Sequence, residues 1–193
     1  MNDIEVRIDD DMLERIERVL GDLKRKAPRA LATSTNKTAR EAKKMLLDGV
    51  KKRYTLDRGK IKEGVNIKNA TAGYPSAKIK FKTRRRLTER FSYKVAKAGV
   101  RTKVLKSGGY MLAGAPKRRA FIAGLNGGST RAIMAREPTS KGHKDKIHVY
   151  HTISVSEMVG SDKTKILEGA EPKIKTMLDK HVEAQIAKII ARG

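Results

Sequence analysis

A chain of 193 residues, 38% hydrophobic but only 4% aromatic, can bury one modest core and is short for two. Its net charge of +24 calls for a polyanionic partner or for acidic neighbouring subunits. With no cysteine, disulfides, thiolate catalysis and cysteine-based zinc sites are excluded, and with no run of about 18 apolar residues so is a membrane-spanning helix.

Residues 1 to 22 carry eight acids against three bases. A signal peptide needs a basic start and an apolar block, so the chain is expected to stay in the cytoplasm where it is made. Met12, Leu13, Ile16, Val19, Leu20 and Leu23 recur every three or four residues and predict a first helix with one apolar face. Asp9, Asp10 and Asp11 stand just before it, where carboxylates cap free amides and favour the positive end of the helix dipole. No second carboxylate cluster is placed to converge with them, so they read as caps and not as metal ligands.

Pro28 suits the first turn of a second helix running to about Arg53. Leu31, Thr35, Ala39, Ala42, Leu46 and Val50 form its inward stripe, light enough for a sheet or a second helix to come close. Lys37, Arg40, Lys43, Lys44, Lys51 and Lys52 read as its solvated surface. From about residue 61 the period becomes two. Val65 and Ile67 alternate with polar residues, ATAGYPS (70–76) breaks the chain, and Ala77 to Thr83 alternates again. Strand geometry sends Ile79 and Phe81 to a core and Lys78, Lys80 and Lys82 to an outward ridge.

GVRTKVL (99–105) predicts another strand, with Val100, Thr102 and Val104 on one side. Ser107-Gly108-Gly109 and Gly114-Ala115-Pro116 bracket a loop around Tyr110. AFIAGL (120–125) and RAIMAR (131–136) predict a hairpin, with Asn126-Gly127 supplying the positive φ angles of a tight turn. Residues 137–146 are polar and expected to be a mobile loop. IHVYHTI (147–153) reads as a last strand. A helix over 171–192 closes the chain, with Ile174, Met177, Leu178, Val182, Ile186, Ile189 and Ile190 as its apolar stripe. The expectation is one domain over 1–193, with 1–27 an acidic helical extension. The fold class is α+β: a twisted antiparallel sheet packed against a long N-terminal helix pair and a C-terminal helix.

Catalysis finds no support in the residues. His148 and His151, near Asp145, have helical ligand spacing, but on a strand three positions apart they point to opposite sides. His181 lies beside an apolar stripe and is expected to be buried or interfacial. A metal-dependent nuclease needs converging carboxylates, and the basic middle holds only Glu41, Asp48, Asp57, Glu63 and Glu89, at no recognisable spacing. No metal, cofactor or small-molecule substrate is therefore expected, and the protein reads as no enzyme.

Binding remains. Residues 61 to 119 carry seventeen bases and two acids. Lys78, Lys80, Lys82, Arg84, Arg85, Arg86, Arg90, Lys117, Arg118 and Arg119 are the candidate contacts to phosphates or to an acidic partner. Asp9, Asp10, Asp11, Glu14 and Glu17 are candidate contacts to another subunit, acid meeting the basic belt. Phe81, Phe91 and Tyr93 lie in the basic run, but Phe81 has core parity, and no zinc finger, RNA-binding aromatic motif or helix-turn-helix signature is found.

The order of elements from residue 28 onward resembles the minor tail protein Z family of long-tailed bacteriophages and prophages. The likeness is carried by ALATSTNKTAREAKKMLLDGVKKRY, PSAKIKFKTRRRLTERF, GVRTKVL, the AFIAGL and RAIMARE pair, HTISVSEMVG and the amphipathic C-terminal helix. This resemblance implies a tail-completion protein, assembled in the bacterial host cytoplasm and acting at the head-tail junction of the virion. It implies a homo-oligomeric ring or plug with neighbouring tail and neck proteins as partners, helping to seat the packaged DNA, with no membrane partner. The competing reading is a soluble, sequence-independent nucleic-acid-binding protein.

Overall fold

The computed structural model describes residues 3–113, 119–137 and 146–192. Its elements in chain order are β1 (Ile4–Val6), α1 (Asp10–Leu20), α2 (Ala27–Arg53), α3 (Arg58–Lys62), β2 (Val65–Lys68) and β3 (Ala77–Phe81). There follow β4 (Ser92–Ala96), β5 (Gly99–Lys103), β6 (Met111–Leu112), β7 (Phe121–Gly124), β8 (Arg131–Glu137), β9 (Lys146–Val149), α4 (Val155–Val159) and α5 (Glu171–Ile190). The fold is α+β with antiparallel sheets, as the periodicities require.

Helix α2 is the axis of the core. Its predicted stripe of Leu31, Thr35, Ala39, Ala42, Leu46 and Val50 is buried throughout. With alanine and threonine in that stripe, α5 lies antiparallel along it: Ser34 Oγ donates to the His181 carbonyl at 3.1 Å, while Gly49 faces Ile166. His181 is buried as expected, its Nδ1 3.0 Å from Thr38 Oγ1 and its Nε2 3.4 Å from Glu41 Oε1. Ile174, Leu178 and Val182 of α5 enter the same core, whereas Ile190, assigned to the stripe by spacing, is 52% exposed because the helix outruns its partner.

Asp9 caps α1, its Oδ1 accepting from the Met12 amide at 2.9 Å. Ile16 and Leu20 are buried, but Val19 is 54% exposed and faces away from the core. Ahead of the helix lies an unexpected strand: β1 pairs antiparallel with β3, with Ile4 opposite Ile79 and Val6 opposite Ala77. Three residues are too few for an alternation to be read.

The single sheet expected from the sequence resolves into three, ordered β1-β3-β2, β4-β5-β6 and β7-β8-β9. The strands are short and irregular stretches part them, so the ladder bonds close within each trio. In the first sheet β3 is central and buries Ala77, Ile79 and Phe81 against the helices. The loop after β2 is held on α2 by Asn36, whose side chain both accepts from the Ala70 amide (2.7 Å) and donates to its carbonyl (2.9 Å). The second and third sheets face each other across a small separate core of Val100, Ala120 and Ile133.

The β7–β8 hairpin forms as predicted, with Ile122 opposite Ile133. Its connection is a short helical turn, Leu125–Gly127, closed by the Leu125 amide donating to Thr130 O at 2.8 Å. Of Asn126 and Gly127, only Gly127 takes a positive φ (+70°), since this longer loop needs one left-handed residue, not two. The last strand stops at Val149, with His151 reached only by an isolated bridge to Leu87. The expected loop at 137–146 falls almost wholly outside the described residues, as does Gly114-Ala115-Pro116. Among the described residues, no helix is long and apolar enough to cross a membrane.

Candidate interaction surface

The outward face of the first sheet carries the ridge that alternation predicts, but its members are not equivalent. Lys78 lies opposite Glu5 on β1 and pairs with it at 3.4 Å. The Ser76 hydroxyl, and then Lys78 itself, hold the Glu5 carboxyl below its usual range, although burial pulls the other way. Lys80 and Lys82 are exposed and make no ion pair among the described residues.

Past β3 the chain turns away from the sheet, and Lys82, Arg84, Arg85, Arg86 and Arg90 line a groove of about 430 Å³ together with a single acid, Glu63. Arg84 and Arg85 are exposed. Glu63 Oε2 meets Arg90 Nη1 at 3.1 Å and Arg86 Nη1 at 3.7 Å. Arg86 is the exception among the predicted contacts: its side chain is only 12% exposed. Its guanidinium is tucked against Gly64, where any Cβ would collide with it, and its Nε and Nη2 are buried without a hydrogen-bond partner among the described residues. Burial first, and then the neighbouring Arg90, lower its affinity for the proton against the pull of Glu63. Arg86 therefore contributes positive potential to the groove from beneath and offers little surface to a ligand.

A second groove adjoins the first. It is about 440 Å³ in volume, and Arg40, Lys43, Lys44, Arg58 and Lys62 line it with no acid among the lining residues. Residues 62 and 63, adjacent in sequence, belong to one groove each. Lys43, read from sequence as solvated surface, is half-buried and donates to the Val65 carbonyl at 2.6 Å. Burial, and then repulsion from Lys62, lower its pKa. The sequence reading missed this groove because its cations come from α2 and α3 at spacings that look like ordinary helix surface.

The first groove opens past the end of β3, against Leu125, Thr130, Val149 and His151, and the second lies on α2 and α3, beside the start of β2, whose Val65 carbonyl takes the Lys43 bond. The β1 side is different. There Asp3, Glu5, Asp9 and Glu171 rim a groove of about 440 Å³, with Arg7 and Lys175 the only cations, over an apolar floor that includes Met12, Leu167 and Ile174. Asp10, Asp11, Glu14 and Glu17 are exposed on α1 nearby. The structure thus gathers the predicted acids beside β1, while half of the predicted cations, Lys82, Arg84, Arg85, Arg86 and Arg90, line the groove beyond β3. Arg119 is exposed, and Lys117 and Arg118 lie outside the described residues.

The remaining candidates for chemistry are dispersed. His148 Nδ1 stands 3.7 Å from Glu137 Oε1 with its ring edge-on to Tyr150, while His151 Nδ1 faces Val149 O at 3.1 Å. Asp145 is outside the described residues. Among those described, no group of three or more His, Asp or Glu could hold a metal ion. Phe81 and Phe91 are buried, Tyr93 is half-buried, and no Phe or Tyr is among the described residues that line the cationic grooves, so none there offers the stacking platform that single-strand binders use. What the surface can do is bind negative charge without reading sequence.

The chain belongs to the prophage minor tail protein Z family, whose model matches residues 12–192. It is thereby a phage minor tail protein, a structural component of the tail. Comparison with curated proteins and with solved structures found no match.

Proposed function

We propose that this minor tail protein completes the head-proximal end of the tail and helps join head to tail, as a non-catalytic ring or plug around the DNA path. The observation that carries the reading is the division of charge around the first sheet: acids gather beside β1, and cations gather past the end of β3 and on α2 and α3 ahead of β2. Two different, complementary flanks favour a head-to-tail contact between copies, of the kind that closes into a ring when the rotation allows. In this reading Asp9, Asp10, Asp11, Glu14 and Glu17 meet the cations of the next subunit. Lys80, Lys82, Arg84, Arg85 and Arg119, left over after that pairing, face DNA phosphates or an acidic tube. Arg86 acts through the potential of the groove.

The test is composition and state. Purified particles should contain the protein at a small fixed copy number, and the isolated protein should associate beyond the monomer at low salt. Neutralising Lys80, Lys82, Arg84 and Arg85 together distinguishes the two uses of the charge. Loss of oligomers points to subunit pairing. A salt slope of DNA binding reduced by roughly 3 to 4, with oligomers intact, points to phosphate contacts. A protein absent from particles, monomeric at every concentration and binding nucleic acid in solution would be a free binder, and the proposal would fall.

A further inference from the structure

Two apolar features have no cover among the described residues, and they are complementary. The first is the tip of the second sheet. Met111 and Leu112 on the edge strand β6 are 75% and 50% exposed, and Val95 on the opposite edge strand is 72% exposed. The stretch that carries it is basic: from Arg90 to Leu112 the chain has six bases and no acid, with Lys94 lying over the Tyr110 ring at 4.7 Å. The second feature is the groove between β1, α1 and α5, whose apolar floor lies inside an acidic rim.

We infer that the Met111–Leu112 tip of one copy inserts into the β1–α5 groove of the next, so that the acidic side of the head-to-tail pairing proposed above, on which this inference rests, closes over the basic second sheet of its neighbour. Protein interfaces are built this way, with charge depleted at the centre and polar groups at the rim. Here the rims carry opposite signs. Lys94 and Arg101 beside the tip would meet Asp3, Asp9 and Glu171 around the groove. The tip and the groove share no residue and belong to different sheets, so one copy can offer both at once. Like would not pair with like: two tips would bring cations together, and two grooves acids.

The lack of native cysteine makes the contact directly testable. Met12→Cys in one preparation and Leu112→Cys in another, mixed and treated with a short bis-maleimide, should give a cross-linked heterodimer that neither gives alone. A chain carrying both cysteines should give a ladder that ends at the closed oligomer. If Met12→Cys does not fold, judged by circular dichroism, Lys175→Cys on the groove rim replaces it. Leu112→Asp, at a half-exposed position, should weaken association at least tenfold without changing the spectrum. Oligomers by light scattering with no Met12–Leu112 product would overturn this inference and leave the ring reading standing. Product that stops at the dimer would support the contact and overturn the ring. A protein monomeric at every concentration would sink both.

Discussion

The helical half of the molecule and its two outer sheets are built to different standards. Around α2 the described residues bury a continuous core from Val6 to Val182, with Ala39, Ala42 and Val50 wholly sealed. Among the described residues, sheets β4–β6 and β7–β9 share a cluster of three buried residues, Val100, Ala120 and Ile133, while Val95, Met111, Leu112 and Ile147 stay in solvent. Among the described residues, the outer sheets leave more apolar side chain in solvent than the helical half does.

Paired core deletions should show the largest effects. Leu46→Ala is expected to cost about 2–5 kcal/mol and lower the melting of the whole chain, since Leu46 is 1% exposed in the main core. Ile133→Ala removes similar bulk from the small core, so hydrogen exchange should quicken in β4–β9 while α2 and α5 stay protected. Equal loosening of α2 by both would break the comparison and make the two regions one cooperative unit. Next in size is Gly64→Ala. A Cβ there would sit 2.6 Å from Val155 Cγ2 and against the Arg86 guanidinium, at the seam between the regions. About 1–3 kcal/mol of destabilisation in urea melts is expected.

A smaller effect comes from the capping box of α4, where Ser154 Oγ accepts from the Glu157 amide (3.2 Å) and Glu157 Oε2 accepts from the Ser154 amide (2.6 Å). Ser154→Ala should cost about 1 kcal/mol. These bonds to Ser154 hold the Glu157 carboxyl below its usual value of 4.5. The folded state then takes up that proton less readily than the unfolded one. The stabilisation is complete above the ordinary carboxylate value and drains away as the pH falls below it. Melts between neutral pH and pH 3 should show that loss, and Glu157→Gln should flatten it. Smallest of all, neutralising Lys80, Lys82, Arg84 and Arg85 should move stability by no more than roughly ±0.5 kcal/mol, since they are exposed and outside both cores.

Long periodic segments were legible. The stripe of α2, the parity of β3 and the hairpin strands β7 and β8 all follow from spacing, because one face of each must be dry. The Asp9 cap was legible for the same local reason. The three-residue strand β1, the two-residue strand β6 and the short α3 and α4 were not, since their positions depend on partners far along the chain. The same holds for the site. The basic run is plain in the sequence, yet the burial of Arg86 beneath Gly64, the half-buried Lys43 and the acid-rimmed groove arise only when distant segments meet. Spacing also placed Val19 and Ile190 inside, whereas Val19 faces away from the core and Ile190 lies where α5 outruns its partner.

The strand order β1-β3-β2 has a geometrical corollary. Were copies joined as proposed, flank to unlike flank, they would repeat without turning over, and every one would present the same side upward. A washer made in that manner has two chemically distinct surfaces, whatever its number of copies. A fitting between two unlike structures would need no extra adaptor to tell which way round it sits.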